Sequence, residues 1–151
     1  MSQSLAQIYL HIVFSTKGRV AWLRDDTFRE RTHAYLTGIL RQQDCPSLTT
    51  GGAYDHVHIL CRLSRTITVA DLVRELKRDS TKWIKEERPE LADFHWQNGY
   101  GAFSVSPSHV EDLKLYIANQ IEHHRRESFQ DELRRICAKY GVQLDERYAW
   151  D

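Results

Sequence analysis

The sequence predicts an α+β fold: a four-stranded antiparallel sheet with two helices across one face and further helices at the C-terminal end. Three observations carry this reading. Runs rich in β-branched and aromatic residues, bounded by Gly and Pro, occur at 6–16, 47–53, 54–61 and in the second half of 94–106. Stretches from Asp25 to Gln43 and from Thr68 to Pro89 repeat apolar residues at the helical period. The resulting order is β-α-β-β-α-β, followed by two more helical stretches.

Each element has its own warrant. Residues 6–16 put Ile8, Leu10, Ile12 and Phe14 on one strand face and Tyr9, His11, Val13 and Ser15 on the other. Lys17-Gly18-Arg19 turns the chain. Asp25-Asp26-Thr27 opens a helix carrying Phe28, Tyr35, Leu36, Ile39 and Leu40, and Pro46 ends it. The strand at 47–53 runs into Gly51-Gly52, so it forms a hairpin with 54–61. Thr68 and Asp71 make a capping arrangement for the second helix. Val69, Leu72, Val73, Leu76, Trp83 and Ile84 form its apolar face, with Arg74, Arg78, Lys82 and Lys85 on the other side. Ser108 and Glu111 read as a capping box for a third helix bearing Leu113, Tyr116, Ile117, Gln120, Ile121 and His124. After a break near Ser128, Phe129, Leu133, Ile136, Cys137 and Tyr140 make the stripe of a fourth helix, with Gly141 at its C′ position. This arrangement is the ferredoxin-like split βαβ. Its helix-free sheet face, with Tyr9, His11, His56 and His58, is expected to be an open platform.

The chain has 151 residues, which predicts one domain over 1–151. It is 41% hydrophobic and 28% charged, the balance of a soluble globular protein. No apolar run is long enough to span a membrane and no secretory leader is visible, so a cytoplasmic protein is expected. Cys45, Cys61 and Cys137 are widely spaced and read as buried thiols, not a disulfide framework or a cysteine zinc site. Net charge is zero, which argues against coating duplex DNA by bulk electrostatics. Basic residues nonetheless outnumber acidic ones over 1–24 and 62–88, which leaves room for a basic face.

The chemistry centres on Tyr54-Asp55-His56-Val57-His58-Ile59-Leu60-Cys61. Alternation puts His56, His58 and Leu60 on one face and Val57, Ile59 and Cys61 on the other. Two imidazoles side by side can grip a divalent ion if a third group joins them, though such a pair is also an ordinary polar strand face. Tyr116 and Gln120 share one side of the third helix. An amide oxygen suits a hard cation, and a phenol beside a metal is a nucleophile in waiting. An amphipathic helix with a packed tyrosine and a solvated glutamine is the commoner explanation of such a pair by itself. Asp55 either orients a histidine or shapes the turn. Trp96 and Tyr100 either stack on bases or pack in the core.

Taken together, His56-Val57-His58, Tyr116-x-x-x-Gln120 and the ferredoxin-like order resemble the HUH single-strand nucleases. The chain is most similar to the small single-tyrosine transposases of bacterial insertion sequences and the related REP-associated tyrosine transposases. The similarity runs through His11–Lys17, Asp55–His58, Trp96–Ser106, Tyr116–His124 and Glu146–Asp151, nearly the whole chain. The resemblance implies a metal-dependent transposase that cleaves and rejoins single-stranded DNA at hairpin-bearing element ends through a 5′-phosphotyrosine. It implies Tyr116 as nucleophile, and His56, His58 and Gln120 as ligands of one Mg²⁺ or Mn²⁺. It also implies a homodimer in which active sites can be shared. Lys17, Arg19, Arg78 and Lys82 are the expected phosphate contacts. His123 and His124 are expected to serve a structural or DNA-facing role.

Rival readings are few. A histidine-triad hydrolase needs a third alternate histidine, where this chain has Leu60. A non-catalytic single-strand binding module would place aromatics where His56 and His58 stand. A hydrolase using metal-bound water would leave Tyr116 structural. A non-mobile nuclease that processes repeat hairpins would use the same residues as a transposase.

Overall fold

The computed structural model describes residues 2–151. The strands are β1 (Tyr9–Ser15), β2 (Ser47–Gly52), β3 (His56–Arg62) and β4 (Gly101–Val105). The helices are α1 (Asp26–Gln42), α2 (Val69–Glu87), α3 (Val110–Ala118), α4 (Gln120–His123) and α5 (Phe129–Tyr140). All pairings are antiparallel in the order β2-β3-β1-β4, the ferredoxin-like arrangement. β1 and β3 lie centrally, with Val13 opposite His58 and Ser15 opposite His56.

Caps set most helix starts. Asp25 accepts from the Phe28 amide, Thr68 from Asp71 and Ser128 from Asp131, each satisfying a donor the first turn leaves free. Gly141 closes α5 in the left-handed region at φ +67°. The third helix departs from expectation. Pro107 directs a 3₁₀ turn over Pro107–His109, capped by Ser106 accepting from the Ser108 amide, so α3 starts at Val110 without the Ser108–Glu111 box. It then breaks at Asn119 (φ −98°, ψ 18°), and Gln120–His123 form a separate turn, α4.

One sheet face packs on α1 and α2. Leu10, Ile12 and Phe14 of β1 and Val57, Ile59 and Cys61 of β3 meet Phe28, Leu36 and Leu40 of α1 and Leu72, Leu76 and Ile84 of α2. Trp96 belongs to this core and donates its indole N–H to Ser80 Oγ at 2.9 Å, so the packing alternative holds for it. Tyr100 stays exposed.

The other face is not the open platform expected. Val13 and Phe103 pack with Phe129, Leu133, Ile136 and Cys137 of α5, and Leu60 and Val105 with Val110 and Ile117 of α3. The physical reason is apolar area. Four large apolar side chains stand among the histidines on that face, each worth about 1.5–3 kcal/mol when buried. The amphipathic α5 covers Val13 and Phe103, and α3 covers Leu60 and Val105. Cys45, Cys61 and Cys137 are free and buried, as expected. Among the described residues no helix is long and apolar enough to cross a membrane.

Candidate active site

Strand alternation aims His56 and His58 at the face covered by α3 and α5, and both are fully buried. Directly before them the chain doubles back at Gly52, where φ is +153° and a Cβ would lie 2.2 Å from the His56 carbonyl oxygen. Only glycine fits there, so the hairpin fixes where the histidine strand begins. Gly51 does the same for α3: Ile117 rests directly on it, and Tyr116 is the adjacent residue.

The centre of the site is Glu132 of α5, wholly buried. His58 Nε2 lies 2.9 Å and His124 Nε2 3.0 Å from its Oε1, with His56 Nε2 at 3.4 Å. Its other oxygen, Oε2, accepts from Gln120 Nε2 at 3.0 Å and from the Tyr116 hydroxyl. One carboxylate thus faces three imidazoles with one oxygen and the tyrosine with the other.

The surrounding groups orient these. Asp55 Oδ1 lies 2.7 Å from His56 Nδ1, so the orienting role is realised. His11 Nε2 lies 2.8 Å from His58 Nδ1, and the two rings stack. Because the carboxylate can only accept, His58 donates from Nε2 and its Nδ1 accepts from His11. Arg135 donates from Nη2 to the Tyr116 oxygen at 2.7 Å and is itself held by Glu127 at 3.1 Å.

Burial and charge act against each other here. Burial pulls His58 down to about 4, against the Glu132 carboxylate, which keeps the ring neutral. Burial also disfavours charge on His56, but Asp55 and Glu132 outweigh it and raise its pKa to about 9. Glu132 would be pushed up by burial alone; hydrogen bonds from His124, His56 and His58 hold its carboxyl far below the usual range. Burial and the Glu132 carboxylate raise the Tyr116 phenol, partly offset by Arg135.

His56, His58, His124 and Glu132 each present one ligand atom, all within 4.8 Å of one another. Three imidazole nitrogens and a carboxylate oxygen suit a divalent ion of borderline softness, and Gln120 Oε1, 2.9 Å from His56 Nε2, adds an amide oxygen beside them. The chemistry of the donor set therefore fits a metal.

The structure brings His56, His58, Tyr116 and Gln120 together, although α3 breaks between the last two. It adds His124 to the cluster, where a structural or DNA-facing role was expected. Arg19 lies on a second cleft lined by Arg24, Asp55, His124 and Arg125, and donates to the Trp150 carbonyl. Lys17 is exposed in the turn after β1. Arg78 and Lys82 sit on α2, across the sheet from the histidines, and Arg78 pairs with Glu75 and Asp79. Glu132 escaped sequence reasoning. The available signal was a carboxylate within the apolar stripe of α5, between Phe129 and Ile136, where a charge is buried and so needs partners.

Comparisons with known proteins bear on the family and the fold. The family model described as "Transposase IS200 like" matches residues 4–120. A candidate transposase from Deinococcus radiodurans R1 is similar in structure at 22% identity and a TM-score of 0.64, covering 80% of this chain and 98% of its own. A REP-associated tyrosine transposase bound to a REP hairpin is similar at 15% identity and a TM-score of 0.59, covering 82% of this chain and 74% of its own. Both likenesses are of fold. Among curated proteins none matches the chain.

Proposed function

The chain belongs to the IS200-like transposase family, and on that premise we propose that it cuts and rejoins single-stranded DNA with Tyr116 as nucleophile. The observation that carries this reading is the Tyr116 hydroxyl bonded to a carboxylate that three histidines surround. The Tyr116 oxygen, held by Glu132 Oε2 and Arg135, attacks a backbone phosphorus and its proton is lost to solvent, because Glu132 is held too far below the usual carboxylate range to act as the base. The bond from phosphorus to the 3′ oxygen breaks and that oxygen takes up a proton from solvent, leaving a 5′-phosphotyrosine and a free 3′-hydroxyl. A second 3′-hydroxyl reverses the step, so rejoining needs no nucleotide cofactor.

His56, His58, His124 and Glu132, with Gln120 adjacent, would hold a divalent ion, Mg²⁺ or Mn²⁺, whose contribution is Lewis-acid polarisation of the phosphate. The imidazole-rich set favours Mn²⁺. Arg135 donates to the Tyr116 oxygen and stabilises negative charge growing on it. Arg19, Arg24 and Arg125 border the cleft on the His124 side and suit the phosphates of an approaching strand. Lys17 would extend that contact. Arg78 and Lys82 could meet only more distant DNA, such as the stem of a hairpin. A hairpin-bearing strand is the substrate we favour, since a relative of the same fold is bound to one. A homodimer is the proposed assembly, in which active sites can be shared between the subunits.

The test is a covalent-adduct assay with single-stranded DNA from both flanks of the gene, in Mg²⁺ or Mn²⁺, on a denaturing gel. A shifted protein–DNA band, lost in Tyr116→Phe and without metal, is expected. Cleavage that survives Tyr116→Phe would overturn the tyrosine mechanism in favour of metal-bound water. Tight hairpin binding without cleavage or adduct would point to a binding module.

A further inference from the structure

A cavity of about 510 Å³ opens beside the Tyr116 hydroxyl, between β4, α3 and α5. Its volume lies in the range of small-ligand sites. Val105, Leu113 and Ile136 give it an apolar floor. Arg135 and Lys139, one turn apart on α5, put two cations on its rim, against the single carboxylate of Asp112. Tyr140 closes the far side, 39% exposed, its ring stacked on Phe103 with centroids 5.0 Å apart. This is a cationic, aromatic hollow in a chain whose net charge is zero.

We infer that this cleft binds the nucleotide adjoining the scissile phosphate, with the phosphate at Arg135 and the base over the apolar floor against Tyr140. The inference rests on Tyr116 being the nucleophile and adds where the strand lies beside it. Three features select a single-stranded nucleotide over other small ligands. The cations mark a phosphate, and Arg135 already touches the oxygen that would attack one. The apolar floor with one aromatic wall accepts the face of a base, which a paired and stacked duplex does not present. Tyr116 lines this cleft and His124 lines the Arg19–Arg125 cleft, so both clefts border the one cluster and each carries arginine. Tyr140 is held by Phe103 before any ligand arrives, so stacking on it orders little that is not already ordered.

The experiment uses the full chain and a short oligothymidylate carrying one 2-aminopurine, with EDTA present so that nothing is cleaved. Anisotropy gives affinity and fluorescence quenching reports stacking. Lys139→Glu and Tyr140→Ala alter exposed side chains, and their melting temperatures are measured alongside. The expected result is quenching with the parent protein, and binding about fivefold weaker or more in each variant, with quenching lost in Tyr140→Ala. Equal affinity and equal quenching in both variants would overturn the cleft. The adduct assay runs separately. No adduct from the parent protein, with oligonucleotide binding still sensitive to both variants, would sink the tyrosine reading and leave the cleft standing. Adduct formation by Tyr140→Ala and Lys139→Glu with the parent's DNA-concentration dependence would overturn the cleft and leave the tyrosine reading intact.

Discussion

Glu132 is a charge that the protein could not bury without His58, His124, Gln120 and Tyr116 turned toward it. Replacing it removes the acceptor those donors share. Glu132→Gln is expected to lower stability by about 3 kcal/mol, read as a fall in denaturant midpoint, because an amide brings its own N–H groups against existing donors. His58→Ala tests the metal reading at the same scale. Mn²⁺ should raise the melting temperature of the parent chain, by an amount equivalent to about 2.7 kcal/mol at a hundredfold excess over Kd. In His58→Ala that rise should vanish; a rise of equal size in the variant would remove His58 from the ligand set. The histidine pair was legible in the sequence because strand alternation is a local rule. Glu132 was not, since its partners come from β3, α3 and α4 and converge only in three dimensions.

Among the elements, α3 carries Tyr116, the proposed nucleophile, and α5 carries Glu132 and Arg135, which hold it. Ile117 fixes α3 against Gly51, where an added Cβ would meet Ile117 Cγ2 at 2.8 Å and its carbonyl oxygen at 2.9 Å. Backbone cannot yield there without moving the helix. Gly51→Ala is therefore expected to cost about 1–3 kcal/mol and to reduce adduct yield together with stability. Unchanged melting and unchanged yield would show that α3 does not depend on this contact. The helix and strand periods were readable along the chain, and the caps at Asp25, Thr68 and Ser128 follow from residue type. The break at Asn119 was not, because a helical pattern continues through it and the turn that replaces it answers to contacts beyond the helix.

At the scale of the molecule, the last residues tie the approach to β4 to the turn after β1. Asp151 accepts from the Asn98 amide at 2.6 Å, Ala149 from Gln97 Nε2 at 3.1 Å and Trp150 from Arg19 at 3.1 Å. The Arg19 and Arg134 guanidiniums lie 5.9 and 5.2 Å from the Trp150 ring centroid. Ending the chain at Arg147 should lower the melting temperature by about 5–10 °C, from three lost hydrogen bonds of about 1 kcal/mol each. An unchanged midpoint would mean the tail rests on the surface without supporting it.

The sequence alone determined the element order, the sheet, the histidine strand and the tyrosine helix. Each follows from a periodicity or a turn residue that acts within a few positions. Tertiary structure decided what covers the second sheet face, that His124 and Glu132 join the site, and which basic residues stand near it. Those outcomes depend on burying Val13, Leu60, Phe103 and Val105 under α3 and α5. That apolar area belongs to no single stretch of the chain, so no local pattern announces it.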